Sequence, residues 1–168
     1  SAHDELRGAI QLHHEEGGVV KNDKDMLGGV LDLKELDVSD VMVHRTKIES
    51  LNGDDTAEEI VDQILSSPFT RLPLWQDDSD NIIGVVHAKD LLRELSSLDF
   101  DISKLDLQKF ASKPWFVPES TGLQDQLNAF LRRKAHFALV VDEYGELLGL
   151  ITLEDIIEEI VGEIVDEI

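Results

Sequence analysis

The sequence contains no cysteine, which excludes disulfide bonds and thiolate metal sites. It also lacks an apolar run of about 18 residues, so no segment is expected to cross a bilayer as a helix. Basic residues are scarce: 15 lysines and arginines stand against 36 aspartates and glutamates, a formal net charge of -21. Such a chain would repel nucleic-acid phosphates and anionic lipid, which argues against both classes of partner.

The chain does have enough apolar sequence for a packed core. Of its 168 residues 42% are hydrophobic, sufficient for one compact domain or two small fused units. It begins at Ser1 rather than at a methionine and ends at Ile168, inside a helical pattern. We therefore expect it to be a piece of a longer protein.

A repeated pattern organises the sequence. Residues 137–155 contain two apolar runs around a polar turn at 142–145, which predicts a β-hairpin that leads into a helix. Residues 72–95 align with residues 137–160 at a constant offset of 65, without a gap. By this alignment Gly84 matches Gly149 and Asp90 matches Asp155. Two similar units are therefore predicted.

Helix starts can be read from capping patterns. Thr56 is followed three residues later by Glu59, and Thr152 is followed at the same distance by Asp155, as in a capping box. A strand that ends at a hydroxyl and leads into a helix presents unpaired backbone N–H groups, where anions can bind. Thr152 and Asp155 therefore have two interpretations, as ligand-binding residues or as a helix cap alone.

Other segments are predicted from composition and periodicity. Helices are expected over 1–17 and 26–33, a short helical turn over 37–42, an irregular strand over 45–51 and a hairpin turn over 77–81. A core-facing stripe is expected at Ala57, Ile60, Val61, Ile64 and Leu65. Pro73 implies that its strand lies at an edge or contains a bulge. His3, His13 and His14 allow a metal site, although we favour an exposed polar helix face.

The repeat resembles a known domain. A β-α-β-β-α unit with Gly-h-h-Thr-x-x-Asp (h, apolar) after its last strand resembles the CBS domain, and two in tandem resemble a CBS pair, or Bateman module. The segments DVMVHRT (40–46), FTRLPL (69–74), VVDEYG (140–145) and TLEDIIEEIVGEI (152–164) are similar to CorC/HlyC hemolysin-like proteins, which are related to the cyclin-M magnesium transporters. His44 departs from this family, which usually has proline there.

The resemblance implies an α/β (α+β) fold of two CBS domains that pack pseudo-symmetrically, with an N-terminal helical segment. The expected divisions are a helical linker from an absent membrane domain (1–37), CBS domain 1 (38–98), a linker (99–112), CBS domain 2 (113–162) and the start of a C-terminal extension (163–168).

The resemblance also implies an adenine-nucleotide site. Asp155 would accept hydrogen bonds from the ribose diol, Thr152 and its helix start would bind phosphate, and Arg71 would pair with phosphate. The adenine would lie in an apolar slot from the other repeat. The primary site is predicted at Thr46, Ile48, Thr70, Arg71, Pro73, Thr152 and Asp155.

A second, weaker site is implied by the first repeat's own helix start. It would use Asp90, with His87 in the place of Thr152, the edge strand around Val117, and His136 in the position of Arg71. Histidine is mostly neutral at pH 7 and is a poorer phosphate partner than arginine. One strong site and one weak or empty site are therefore expected.

The implied ligand is ATP, ADP or AMP, with Mg2+ carried by the phosphates rather than by a protein metal site. Implied partners are a second copy of the chain, as a homodimer through the CBS domains, and the transmembrane and C-terminal transporter-associated domains of a longer protein. The expected location is the cytoplasmic side of the inner membrane. The sequence has no motif that joins a nucleophile to a base, so catalysis is not expected. The remaining alternative is a structural dimerisation module without ligand.

Overall fold

The computed structural model of the chain describes residues 33–166, and its side chains over residues 33–162. The helices predicted over 1–17 and 26–33 fall almost wholly outside this range. His3, His13 and His14 also lie outside the described residues.

The described residues form six helices and seven strands. The helices are α1 (Val38–Val41), α2 (Ala57–Ser66), α3 (Ala88–Ser97), α4 (Leu107–Phe110), α5 (Leu123–Arg133) and α6 (Leu153–Asp166). The strands are β1 (Val43–His44), β2 (Leu51–Asn52), β3 (Arg71–Gln76), β4 (Asp78–His87), β5 (Phe116–Pro118), β6 (Phe137–Val141) and β7 (Leu147–Thr152). The predicted mixed α/β fold class is confirmed.

The chain divides into two compact units. Unit A consists of residues 46–115, and unit B consists of residues 33–45 together with 116–166. The sheet of unit A has the order β2-β3-β4, and the sheet of unit B has the order β1-β7-β6-β5. In each unit a short edge strand pairs in parallel with the first hairpin strand, and the two hairpin strands are antiparallel. Each unit therefore contains the predicted hairpin followed by a helix.

Helix α2 begins where the sequence predicts. The Thr56 Oγ1 accepts from the Glu59 backbone N at 3.2 Å, and Glu59 Oε2 accepts from the Thr56 N at 3.3 Å. Ile60, Val61 and Ile64 are buried in the core of unit A. Leu65 was predicted to face the core, but 59% of it is exposed, because the last turn of the helix carries it past the buried stripe.

The proline of β3 lies in a central strand without losing a sheet hydrogen bond. Proline lacks a backbone N–H. On one side, β2 pairs with β3 only from Leu74 onward. On the other side, Val85 is opposite Pro73 and exchanges both its backbone hydrogen bonds with Ser112 at 2.9 Å. At Pro73, therefore, neither neighbouring strand needs a backbone N–H from β3, as at the edge of a sheet. The irregular register occurs just after it, at residues 74–76.

Two predicted boundaries between residues 45 and 81 are wrong. The strand predicted over 45–51 is a 3-10 turn at Arg45–Lys47 and a loop, with only Leu51 in β2. The hairpin turn predicted over 77–81 is shorter, because β4 already begins at Asp78. Asp77 alone makes the reversal with φ 68°, a left-handed conformation that aspartate tolerates better than most residues.

The hairpin turn of unit B forms as predicted. Asp142 Oδ1 accepts from the backbone N of Tyr144 at 2.8 Å and from that of Glu146 at 3.0 Å. Gly145 has φ 82°, which only glycine adopts without strain. The carboxylate and the glycine therefore fix the turn between β6 and β7.

The matched glycines let a further segment approach the last strand of each hairpin. A Cβ on Gly149 would collide with the backbone oxygen of Val43, which belongs to the neighbouring strand β1. A Cβ on Gly84 would lie 3.0 Å from Ala111 Cβ and 3.2 Å from Ser112 O. In both units the glycine makes room for a backbone neighbour.

The strand registers correct the gapless alignment. Leu74 is opposite Gly84, whereas Val140 is opposite Gly149. The first hairpin strands therefore correspond at an offset of 66 residues and the second strands at 65, because unit B has one residue fewer than unit A between these paired positions. Phe137, not His136, is the counterpart of Arg71, and the prediction that His136 takes the position of Arg71 is wrong.

Candidate functional site

The start of helix α6 holds the two residues on which the predicted primary site is centred. Thr152 ends β7, and its Oγ1 accepts from the Asp155 backbone N at 3.1 Å. Asp155 Oδ2 accepts in return from the Thr152 backbone N at 3.2 Å. Both side chains are half-buried. The helix-cap interpretation is thus realised, as a reciprocal capping box.

The capping box leaves hydrogen-bonding capacity in the same two side chains. Asp155 Oδ1 accepts no bond from the described residues, and the Thr152 hydroxyl proton is still available to donate. A carboxylate can accept from several donors at once, including the two hydroxyls of a ribose. The pair therefore fits a nucleotide without breaking the cap.

The helix start offers fewer free backbone donors than the sequence suggests. Leu153 N donates to the carbonyl of His136 at 3.0 Å, and Asp155 N donates to Thr152. Of the first three N–H groups of α6, only that of Glu154 has no such partner among the described contacts. An anion here would rely on Glu154 N, the Thr152 hydroxyl and the helix dipole.

His136 lies beside this helix start in unit B. Besides its carbonyl bond to Leu153, its Nδ1 lies 3.4 Å from Glu154 Oε1, and about half of each side chain is exposed. The sequence predicted His136 as part of the second site. In unit B its contacts are with the start of α6, the helix of the predicted primary site.

The start of α3 in unit A is built differently. Ala88 N donates to the Thr70 carbonyl at 2.8 Å, as Leu153 N does to His136. His87 Nδ1 accepts from the Lys89 backbone N at 3.0 Å. Asp90 makes no return bond to His87 among the described side-chain contacts; its carboxylate lies 3.8 Å from Arg93. The reciprocal box of α6 is absent from this part of the described chain.

Arg71 stands directly across the hairpin from His87. Burial lowers the pKa of His87 from its ordinary value of 6.5, the Arg71 charge lowers it further, Asp90 raises it, and Lys89 lowers it slightly. Burial first, and then the positive charge of Arg71, thus favour the neutral imidazole. In unit A the charge of Arg71 acts at the helix start that contains His87 and Asp90.

The remaining predicted residues are divided between the units. Thr46 lies in the exposed 3-10 turn, Ile48 is half-buried in the loop before β2, and Pro73 is buried in β3, all in unit A. Val117 is 5% exposed in β5, one of the two edge strands of unit B. The side chain of Val117 belongs to the core, so only its backbone can face a ligand.

Comparison with known proteins agrees with this architecture. The CBS domain profile matches the chain twice, over residues 38–97 and 106–162. A solved CBS domain of the bacterial CNNM/CorC family Mg2+ transporter, in complex with ATP, is 35% identical with a TM-score of 0.76, and the match covers 83% of this chain and 97% of that chain. This chain belongs to the CBS-domain family, as a tandem pair of the CNNM/CorC type.

Other relatives of this CBS pair point the same way. A CBS-domain pair with bound AMP from Klebsiella pneumoniae is 35% identical with a TM-score of 0.65, over 74% of this chain and 98% of that chain. The magnesium and cobalt efflux protein CorC of Pasteurella multocida is 38% identical over 164 residues, which are 98% of this chain and 54% of the relative. The chain spans about half the length of the curated relatives it matches.

The predicted resemblance to a tandem CBS pair of the CorC group is therefore confirmed.

None of the helices in the described part of the CBS pair is long and apolar enough to cross a membrane. Within residues 33–162, no three His, Asp or Glu side chains are grouped as a metal site would need.

One feature of the CBS pair was not anticipated from sequence. Unit A contains an open cavity of about 190 Å³ between the start of α2 and the segment that leads into α4. Its lining includes Asp55, Ile60, Leu74, Asp106 and Leu107. These residues come from distant segments, so the sequence does not show that they meet. Its one indication is the alternation of Asp106 with Leu105 and Leu107, which is typical of a linker with one apolar face.

Proposed function

We propose that this CBS pair is the nucleotide-sensing part of a longer membrane protein that moves ions, and that adenine nucleotide binds at Thr152 and Asp155. The observation that carries the proposal is the half-buried capping box with Asp155 Oδ1 still free to accept. The two hydroxyls of a ribose diol can donate hydrogen bonds to Asp155 Oδ1. Relatives of the same family with bound ATP and bound AMP support the choice of an adenine nucleotide.

The charge of the chain favours a nucleotide that brings a cation with it. At a net charge of -21 the protein repels a bare triphosphate. Mg2+ bound to the phosphates offsets this repulsion, because the ion keeps its water and phosphate ligands and needs no protein cage. We therefore propose Mg-ATP, with ADP and AMP as weaker ligands.

The predicted adenine slot is part of the proposal. Thr46, Ile48, Thr70, Arg71 and Pro73 all belong to unit A, while Thr152 and Asp155 belong to unit B. Their joint participation in one site stays a prediction.

Substituting Arg71 with Gln removes the charge but keeps most of the side chain. This change should weaken the binding of ATP more than that of AMP, since only ATP has the outer phosphates.

A calorimetric titration with ATP, ADP and AMP, with and without Mg2+, tests the proposal. Asp155→Asn keeps a carbonyl oxygen for the cap but removes the charge, so we expect unchanged folding and an affinity lowered at least roughly tenfold. The matched control is Asp90→Asn, which should change affinity little.

The scaffold alternative gives different results in the same titration. A CBS pair that only dimerises would show no heat and no melting shift at millimolar nucleotide. Equal losses in Asp155→Asn and Asp90→Asn would also reject a single strong site.

We also propose that the chain forms a homodimer through its CBS domains, and that unit A contributes apolar contacts to it. Large apolar side chains are exposed there: Leu65 is 59% exposed, Leu92 50% and Phe100 66%. Sedimentation should show a dimer that Leu92→Asp dissociates. Tyr144→Asp, at the exposed hairpin tip of unit B, is the control and should leave the dimer intact.

The rest of the longer protein is proposed from the relatives. An efflux protein contains a membrane part, and a nucleotide sensor needs access to the cytoplasm. We therefore propose that this CBS pair lies on the cytoplasmic side of an inner membrane and is joined to transmembrane and transporter-associated domains. Nucleotide would act by binding one conformational state more tightly than another.

A further inference from the structure

The start of helix α3 depends on the protonation state of its cap. His87 is the N-cap, and its ring Nδ1 accepts the Lys89 backbone N–H at 3.0 Å. An imidazole nitrogen accepts a hydrogen bond only while it carries no proton, so the cap requires a neutral ring protonated on Nε2. Thr152, at the corresponding position of unit B, caps with a hydroxyl that does not titrate near neutral pH.

The groups around His87 favour this neutral form. Arg71 on β3 lies opposite His87, and Lys89 and Asp90 follow it on α3. Helix α4, which also contacts β4 and α3, carries Lys109 as its one titratable residue. Asp90 alone would attract a proton to the ring, and its carboxylate already lies near Arg93.

Protonation would reverse these interactions. The charged ring loses its acceptor for Lys89 N, and it places a positive charge at the positive end of the α3 dipole, opposite Arg71. Asp90, on the first turn of the same helix, is the acidic group that would attract the charged ring. The ring thus has two alternative partners, Lys89 N when neutral and the Asp90 carboxylate when charged.

We propose that His87 is a pH-sensitive cap, which holds the start of helix α3 when neutral and releases it when protonated. The pKa of folded His87 lies below its ordinary value of 6.5, so the unfolded chain binds the proton more readily. The stability that the cap contributes is complete above pH 6.5 and is lost as the pH falls through the lower pKa of the folded state. Lower pH should therefore open this helix start and leave that of α6 closed.

Amide hydrogen exchange in the whole chain, resolved by NMR, tests the cap. Expressed as protection factors, the protection of Lys89 N–H should fall roughly tenfold between pH 7.5 and pH 5.0. The Asp155 N–H, capped by Thr152, is the internal control and should keep its protection. His87→Asn supplies a cap that does not titrate, and it should protect Lys89 equally at both pH values.

Two further measurements test the cap without relying on His87→Asn. The ¹⁵N shifts of the His87 ring in the unaltered chain should show a proton on Nε2 alone at pH 7.5. A proton on Nδ1 at that pH, or Lys89 protection that does not change with pH, would overturn the proposal. His136→Asn should leave the pH response of Lys89 intact, and the loss of that response would assign it to His136 instead.

Discussion

The helix starts of the two units share a backbone hydrogen bond but have different capping side chains. In both, the first helical N–H donates to a carbonyl just before the first hairpin strand, from Ala88 to Thr70 and from Leu153 to His136. The next residues diverge, because Thr152 closes a reciprocal box with Asp155 whereas His87 caps with a titratable ring. The two helix starts therefore share one backbone hydrogen bond and differ in the side chains that cap them.

The largest difference between the units is expected at the matched glycines. Gly149→Ala should destabilise unit B by about 3 kcal/mol or more, because the new Cβ would meet a backbone oxygen of β1. Gly84→Ala should cost only about 1 kcal/mol, since its closest neighbour is the methyl group of Ala111 at 3.0 Å. Urea unfolding of both variants measures the difference, and equal losses would show that β1 yields as easily as Ala111.

The next difference is expected at the two caps. Thr152→Ala removes the acceptor of Asp155 N and should cost about 1 kcal/mol of stability, together with weaker nucleotide binding. His87→Ala should cost a similar amount at pH 7.5, much less at pH 5.0, and should leave nucleotide binding nearly unchanged. Melting curves with and without ATP separate these effects. Thr152→Ser keeps the hydroxyl and is the control; a loss as large as that of alanine would implicate the methyl group instead.

The smallest difference is expected at the hairpin turns. Gly145→Ala should destabilise unit B by about 1 kcal/mol, because its φ of 82° is unfavourable for alanine although the space is open. Asp77→Gly should change stability by no more than about 0.5 kcal/mol, since relief of the positive φ offsets the greater freedom of the unfolded chain. Thermal unfolding checks both, and a clear loss in Asp77→Gly would mean that the aspartate side chain stabilises its turn.

Local features of the fold were readable from the sequence. Thr56 with Glu59 and Thr152 with Asp155 were found by spacing alone, because a capping box needs only four consecutive residues. The turn at Gly145 was found in the same way. In each case all the interacting residues lie within one short segment, so their spacing in the sequence is enough to predict the interaction.

Features that depend on contacts between distant segments could not be predicted from the sequence. The register of β3 against β4 differs by one residue from that of β6 against β7, because unit A has one more residue between the paired positions, and the gapless sequence match did not show this. The role of Gly149 depends on β1, more than 100 residues earlier. The cap at His87 was missed because histidine is an uncommon N-cap, although its match with Thr152 pointed to that position.

The central claim is that the Thr152–Asp155 helix start binds adenine nucleotide and that the His87–Asp90 helix start does not. A crystal structure of the chain with ATP and Mg2+ at pH 7.5 would show which helix start holds the nucleotide. We expect a ribose hydroxyl within about 3.2 Å of Asp155 Oδ1, an intact capping box and no nucleotide at Asp90. A ribose held by Asp90, with the start of α6 free of ligand, would contradict it.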